Sequence, residues 1–136
     1  MMSLYNAFGK KDTVTITKEK IVFTGNPIRK DILTFDTKGQ QGIAYFSVDK
    51  NRKTILVIGG SLGARTINQS IGRNIEFFTK NNLNLIWQTG ISYQEKANEI
   101  ISTTSEKGIN AYTFIKEMGL AYATADIIIS RAGAIA

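Results

Sequence analysis

The stretch Thr54 to Asn68, TILVIGGSLGARTIN, joins an apolar run, a glycine-rich turn and the opening of a helix, the combination that binds phosphate. Ile55 to Ile58 is too short and too β-branched for a helix, and such a run ending in Gly-Gly predicts a buried parallel strand. Gly59 and Gly60 admit backbone angles that a side chain forbids, and Ser61 is suited to cap a helix beginning near Leu62 to Ala64. Free backbone N–H groups and the positive helix end then face one crevice. A P-loop needs Lys and then Ser or Thr after its last Gly, whereas Gly63 precedes Ala64 and Arg65. The dinucleotide fingerprint needs Gly where Ile58 stands and an acid at the end of the next strand, which reads Trp87-Gln88-Thr89-Gly90. A diphosphate on a modified Rossmann turn fits better than ATP or NAD; the competing reading is that Gly59, Gly60 and Gly63 serve only a tight turn. A second candidate anion ligand is Arg29, aimed by the stiff turn Gly25-Asn26-Pro27-Ile28-Arg29, which could equally be a rigid turn and nothing more.

The elements that must position these residues follow a regular rhythm. Strand Thr54 to Ile58 leads to a helix from about Ala64 to Lys80 with Ile67, Ile71, Ile75 and Phe78 on its core face. Strand Leu83 to Gln88, a helix from about Tyr93 to Ser102, a strand near Asn110 to Thr113, a helix from about Lys116 to Ala125 and a strand from Asp126 to Ser130 complete the series. Alternation of this kind implies an α/β fold, a Rossmann-like parallel sheet with helices on both faces. In the Rossmann order 3-2-1-4, Gly59 to Gly63 and Ser130 to Ala134 face each other across the crevice at the carboxyl ends of the first and fourth strands. Phe114, Met118, Ala121, Tyr122 and Ala125 recur at helical spacing as core, leaving Ile115 off the stripe, where it packs or offers an apolar surface to a base. Upstream, Leu4, Tyr5 and Phe8 allow a short helix. Thr13 to Thr17 and Lys20 to Thr24 read as strands, Asp31 to Gly42 as a loop or linker, and Ile43 to Phe46 as one helical turn.

At 136 residues the chain has the length of one domain or of part of a larger protein, with ample apolar content at 43%. It has no Cys and no His, which removes disulfides, thiolate metal sites and a Ser-His triad. No metal or cofactor is expected. No apolar run approaches a membrane span and Met1 to Lys20 has no signal-peptide core, so cytoplasmic residence is the expectation. The net charge of +6 sits mainly at the front: residues 1–53 carry ten Lys or Arg against five Asp or Glu, and residues 54–136 seven against six. The front lysines could favour an anionic membrane or nucleic acid, or be scattered solvated charges. Aromatics are not interleaved with them, which counts against a nucleic-acid-binding module.

The glycine loop, GNPIR, the Gln-Thr-Gly strand end, the FIxxM turn and the SRAGA ending, in this order from about Lys20 to Ala136, resemble the MurG family of UDP-N-acetylglucosamine transferases, glycosyltransferase family 28. The resemblance implies a GT-B architecture of two Rossmann-like domains. Residues 1–42 would then be the end of the N-terminal domain and the linker, and 43–136 the first part of the C-terminal donor domain. It implies a hexosyltransferase of peptidoglycan synthesis and cell wall biogenesis that moves GlcNAc from UDP-GlcNAc to an undecaprenyl-linked MurNAc-pentapeptide. It further implies peripheral contact with the anionic inner face of the cell membrane, and no nucleic acid as partner. Carried over residue by residue, Arg29 and Ser61 match donor-binding positions, Ser61 beside the diphosphate, with Gly60 and Gly63 as further substrate-binding residues of the same loop. Ile115 matches a residue near the uracil, and Gly133, Ala134, Ile135 and Ala136 match the segment around the nucleotide. Family members usually carry Thr where Ala136 stands, so that hydroxyl is lacking here. No catalytic residue is expected in this stretch: the family's acceptor-side motif lies upstream of it and the ribose-binding acid downstream. The 136 residues are therefore expected not to transfer GlcNAc alone, and to expose their last strand. Another GT-B transferase using a different UDP-sugar is the alternative.

Overall fold

The computed structural model describes residues 3–5, 11–13, 39–60, 63–104 and 106–131. Elements run β1 (Ser3–Tyr5), β2 (Lys11–Thr13), α1 (Gly39–Tyr45), β3 (Thr54–Ile58), α2 (Arg65–Arg73), α3 (Ile75–Lys80), β4 (Asn84–Gln88), a 3-10 turn (Ile91–Tyr93), α4 (Gln94–Ser102), β5 (Ile109–Tyr112), α5 (Met118–Thr124) and β6 (Ile127–Ser130). β3 to β6 form one parallel sheet in the order β5-β4-β3-β6, the order expected from the strand–helix rhythm.

Side-chain alternation along the strands divides the core in two. Ile55, Val57, Leu85 and Trp87 point to one face and meet Ile71, Ile75, Phe78 and Ala97 of α2, α3 and α4. Leu56 and Ile86 point to the other and meet Phe46, Val48, Ile115 and Ala121. Both faces are thus covered, which is why β3 and β4 read as continuous apolar runs. At the amino end of the sheet, fully buried Asn84 donates to the carbonyls of Asp49 and Arg52 and to Thr54 Oγ1, and accepts the Asp49 N–H. These bonds fasten the entry of β3 to that of β4.

Several expectations change. The helix expected over Ala64 to Lys80 is two helices parted at Asn74, whose backbone (φ −112°, ψ 23°) leaves the helical region. Its side-chain amide donates to the Ser70 carbonyl at 2.8 Å, competing with the helix ladder for an acceptor one turn back. Gly39 to Gly42, read as loop, belongs to α1. A Cβ on Gly42 would collide with Thr124 Oγ1 and sit 2.7 Å from the Leu120 carbonyl oxygen, so this glycine serves a close approach of α1 to α5. The short helix expected near Leu4 is instead β1, paired antiparallel with β2 in the register Leu4 to Asp12. A one-turn segment cannot hold a helix on its own, whereas a hairpin supplies cross-strand bonds. The strands expected at Thr13 to Thr17 and Lys20 to Thr24 lie, past Thr13, outside the described residues. Among the described residues no helix is long and apolar enough to cross a membrane.

Candidate functional site

β3 and β6 are neighbours in register, Ile58 beside Ser130, so the two strands end at the same rim, from which the glycine turn leaves β3. Gly60 and Gly63 each hold φ +79°, and the Gly63 N–H donates to the Gly60 carbonyl at 3.0 Å. Gly59 is there for space, since a Cβ would lie 2.5 Å from the Ala64 nitrogen. A Cβ on Gly63 would strike the Thr89 carbonyl oxygen at the end of β4, while one on Gly60 meets no atom within 4 Å. Gly63 is therefore pressed into the scaffold and Gly60 faces open space.

What holds the turn is a buried polar network that sequence reasoning missed. Asn68 in the first turn of α2 donates to the Thr89 carbonyl at 2.7 Å and accepts from Trp87 Nε1 at 2.9 Å. Thr89 Oγ1 meets Gln94 Oε1 at 2.7 Å, and Gln94 Nε2 donates to the Ala111 carbonyl. The first turn of α2, the end of β4 and β5 are thereby tied together behind the glycine turn. The one signal available was an Asn on the core side of an amphipathic helix, where an apolar residue would be usual.

Helix α2 begins later than anticipated. Ala64 occupies its cap position and makes no side-chain capping bond, so Ser61, expected as the cap, is not the residue in that position. Ser61 lies outside the described residues, as do Arg29 and the segment Gly133, Ala134, Ile135 and Ala136. Of the sequence-derived candidates, Gly60, Gly63 and Ile115 are described; Gly60 and Gly63 share one turn.

Phe114 and Ile115 exchange their expected places. Phe114 is 55% exposed, and Ile115 is 2% exposed within the second core cluster. Helix α5 does not start until Met118, so helical spacing does not govern residues 114 to 117. Ile115 has no apolar surface to offer a ligand; its packing role is the one observed, and its N–H donates to Gln88 Oε1 at 3.2 Å. The exposed ring that follows β5 is that of Phe114, a candidate the helical stripe concealed.

Residues 54–136 match the model of the glycosyltransferase family 28 C-terminal domain. The chain belongs to glycosyltransferase family 28. Among curated relatives, the UDP-N-acetylglucosamine--N-acetylmuramyl-(pentapeptide) pyrophosphoryl-undecaprenol N-acetylglucosamine transferase of Flavobacterium psychrophilum is 44% identical over 117 residues, 86% of this chain and 31% of the relative. The enzyme of the same name from Christiangramia forsetii is 45% identical over 116 residues, 85% of this chain and 31% of the relative. The crystal structure of Acinetobacter baumannii MurG superposes with a TM-score of 0.56 at 29% identity, covering 69% of this chain and 27% of that one. This family 28 chain thus spans about a third of the length of the relatives it matches.

Proposed function

We propose that the chain is the donor-binding part of a hexosyltransferase that takes GlcNAc from UDP-GlcNAc to an undecaprenyl-linked MurNAc-pentapeptide. The observation that carries this reading is the register pairing of Ile58 with Ser130, which sets the glycine turn and the β6 exit at one switch point in a family 28 chain. Ligands of open α/β sheets enter at such a point, outside the carboxyl ends of the strands.

In this assignment the backbone at Gly60 and Gly63, with Ser61, receives the diphosphate, and the uncapped N–H groups of α2 add positive potential. Donors fixed before reaction stabilise the charge that builds on departing UDP. The base lies against the Phe114 ring, with Ile115 contributing main chain. Arg29 supplies a cation, and Gly133, Ala134, Ile135 and Ala136 wrap the nucleotide. Residues 43–136 form the first part of the donor domain and residues 1–42 the join to what precedes it. The acceptor, a peripheral station on the cytoplasmic face of an anionic membrane, and the transfer itself belong to the longer protein that the relatives represent.

The test is amide-resolved binding by the 136-residue chain. UDP-GlcNAc is expected to shift Gly60, Gly63, Phe114 and Arg131 together, and GDP-mannose to leave them unmoved. Equal response to UDP-glucose would favour another UDP-sugar transferase. Shifts confined to one of the two turns, or none, would overturn the shared site.

A further inference from the structure

A trench runs between α2 and α4, starting beside the glycine turn at Gly63 and following the two helices from there. Its upper hollow, about 400 Å³, is bordered by Gly63, Arg65, Asn68, Ser92, Tyr93 and Lys96. A second hollow of about 160 Å³ shares Gln69, Tyr93 and Lys96 with it and continues to Gly72, Arg73 and Ile100. Arg65, Gln69 and Arg73 are spaced i, i+4, i+8 and line one wall; the two guanidinium-bearing positions are separated by about 12 Å along the helix. Lys96 closes the opposite wall, its Nζ 5.9 Å from the centre of the Tyr93 ring. The floor is set by Gly72: a Cβ there would lie 2.9 Å from Ile100 Cδ1 and 3.0 Å from Tyr93 Oη.

Residues 54–136 are nearly neutral, with seven Lys or Arg against six Asp or Glu, yet three of those cations border these two hollows and none of the six acids does; Glu76 lines the adjoining hollow beyond Arg73, where it pairs with Lys80. Among the described residues, Arg65, Arg73 and Lys96 form no ion pair, while Arg52, Lys53 and Lys80 each do. The Tyr93 hydroxyl likewise makes no hydrogen bond among them. Charge of one sign gathered in a concave wall focuses an attractive field, and guanidinium forks suit phosphate oxygens.

We propose that this trench is a second anion site, taking a ligand with two or more phosphate groups in a row, which meets the glycine turn at Gly63 and extends from there between α2 and α4. Arg65 and Arg73 engage phosphates at either end and Lys96 faces them from α4. Successive phosphates are offered by a free polyphosphate and by neighbouring headgroups on an anionic lipid surface, so the experiment separates these sources. Titration of the 136-residue chain with inorganic tripolyphosphate, followed by amide shifts, is expected to move Gln69, Gly72, Arg73, Tyr93 and Lys96. Co-sedimentation with phosphatidylglycerol vesicles, against phosphatidylcholine vesicles, reads the lipid source. Binding in either arm should weaken about tenfold in the double variant Arg73→Gln, Lys96→Gln, and fall as salt rises. Both side chains are exposed, so the variant keeps its cores, and circular dichroism verifies the fold. The control pair Lys50→Gln, Lys107→Gln removes equal charge elsewhere and should leave binding unchanged. The proposal is overturned if neither probe binds, if the control pair weakens binding as much as the trench variant, or if tripolyphosphate shifts only Gly60, Phe114 and Ser130.

Discussion

Ile58 and Ser130 close two adjacent parallel strands at the same level, so β3 and β6 end on a shared rim. Gly60 and Gly63 hold the turn that leaves β3 with the same φ of +79°, but for different reasons, because only Gly63 abuts the Thr89 carbonyl. Gly63→Ala should therefore cost roughly 3 kcal/mol or more, combining left-handed strain with a backbone collision. Gly60→Ala should cost about 1 kcal/mol from strain alone. Its methyl group projects into the open side of the turn, so it should weaken UDP-GlcNAc binding more than stability. Urea unfolding of both variants, with nucleotide titration of the folded one, checks the contrast; equal destabilisation would contradict it.

Asn68→Ala leaves two buried groups without partners, Trp87 Nε1–H and the Thr89 carbonyl. Each unsatisfied group costs about 1–3 kcal/mol, so a loss of roughly 2–5 kcal/mol is expected. The Trp87 emission should change in the folded state, since its indole N–H loses its acceptor. Asn68→Asp keeps the acceptor for Trp87 but sets a carboxylate oxygen against the Thr89 carbonyl, and should also destabilise.

The sheet was legible in the sequence because burial on both faces makes the centres of β3 and β4 (Ile55 to Ile58 and Leu85 to Trp87) continuous apolar runs, and because short strands alternating with amphipathic helices admit few topologies. The expected strand order 3-2-1-4 sets the strand before the glycine turn next to the strand that ends at Ser130, and β3 and β6 are neighbours. Local backbone choices were less legible. Nothing in the apolar periodicity marks the break at Asn74, which depends on its amide reaching the Ser70 carbonyl. The reversal of Phe114 and Ile115 came from extending a helical period into a segment where no helix has begun. Asn68 escaped because its partners lie 19 and 21 residues away and become neighbours only when β4 lies beside β3.

β6 carries an apolar surface that its neighbours leave open: Ile127, Ile128 and Ile129 are 55%, 46% and 38% exposed. Among the described residues only β3 pairs with it, so its other edge presents unpaired N–H and C=O groups. Such an edge templates pairing with another chain. The 136-residue chain should self-associate with rising concentration in sedimentation velocity runs. Ile128→Lys should shift it toward monomer by placing charge on that edge. A monomer at all concentrations would refute this.

Asp126 fastens the start of β6 to the start of β3, its carboxylate accepting from Lys53 Nζ at 2.6 Å and from the Thr54 N–H at 2.8 Å. The Lys53 hydrogen bond first, and then the Thr54 N–H, hold its pKa below the ordinary value of an Asp, against a smaller opposing effect of burial. Because the folded state binds this proton less readily than the unfolded chain, the carboxylate's contribution is complete above the unfolded value of about 3.9. It is then lost as pH falls through the lowered folded value. Lys53 is 75% exposed, so solvent screens the pair. Asp126→Asn, which keeps an acceptor for Thr54 and removes the charge, should cost about 1 kcal/mol at pH 7. Urea midpoints of the two proteins should converge from about pH 4 downward. A gap that stays constant or widens with acidity would mean that the Asp126 carboxylate has no part in holding β6 against β3.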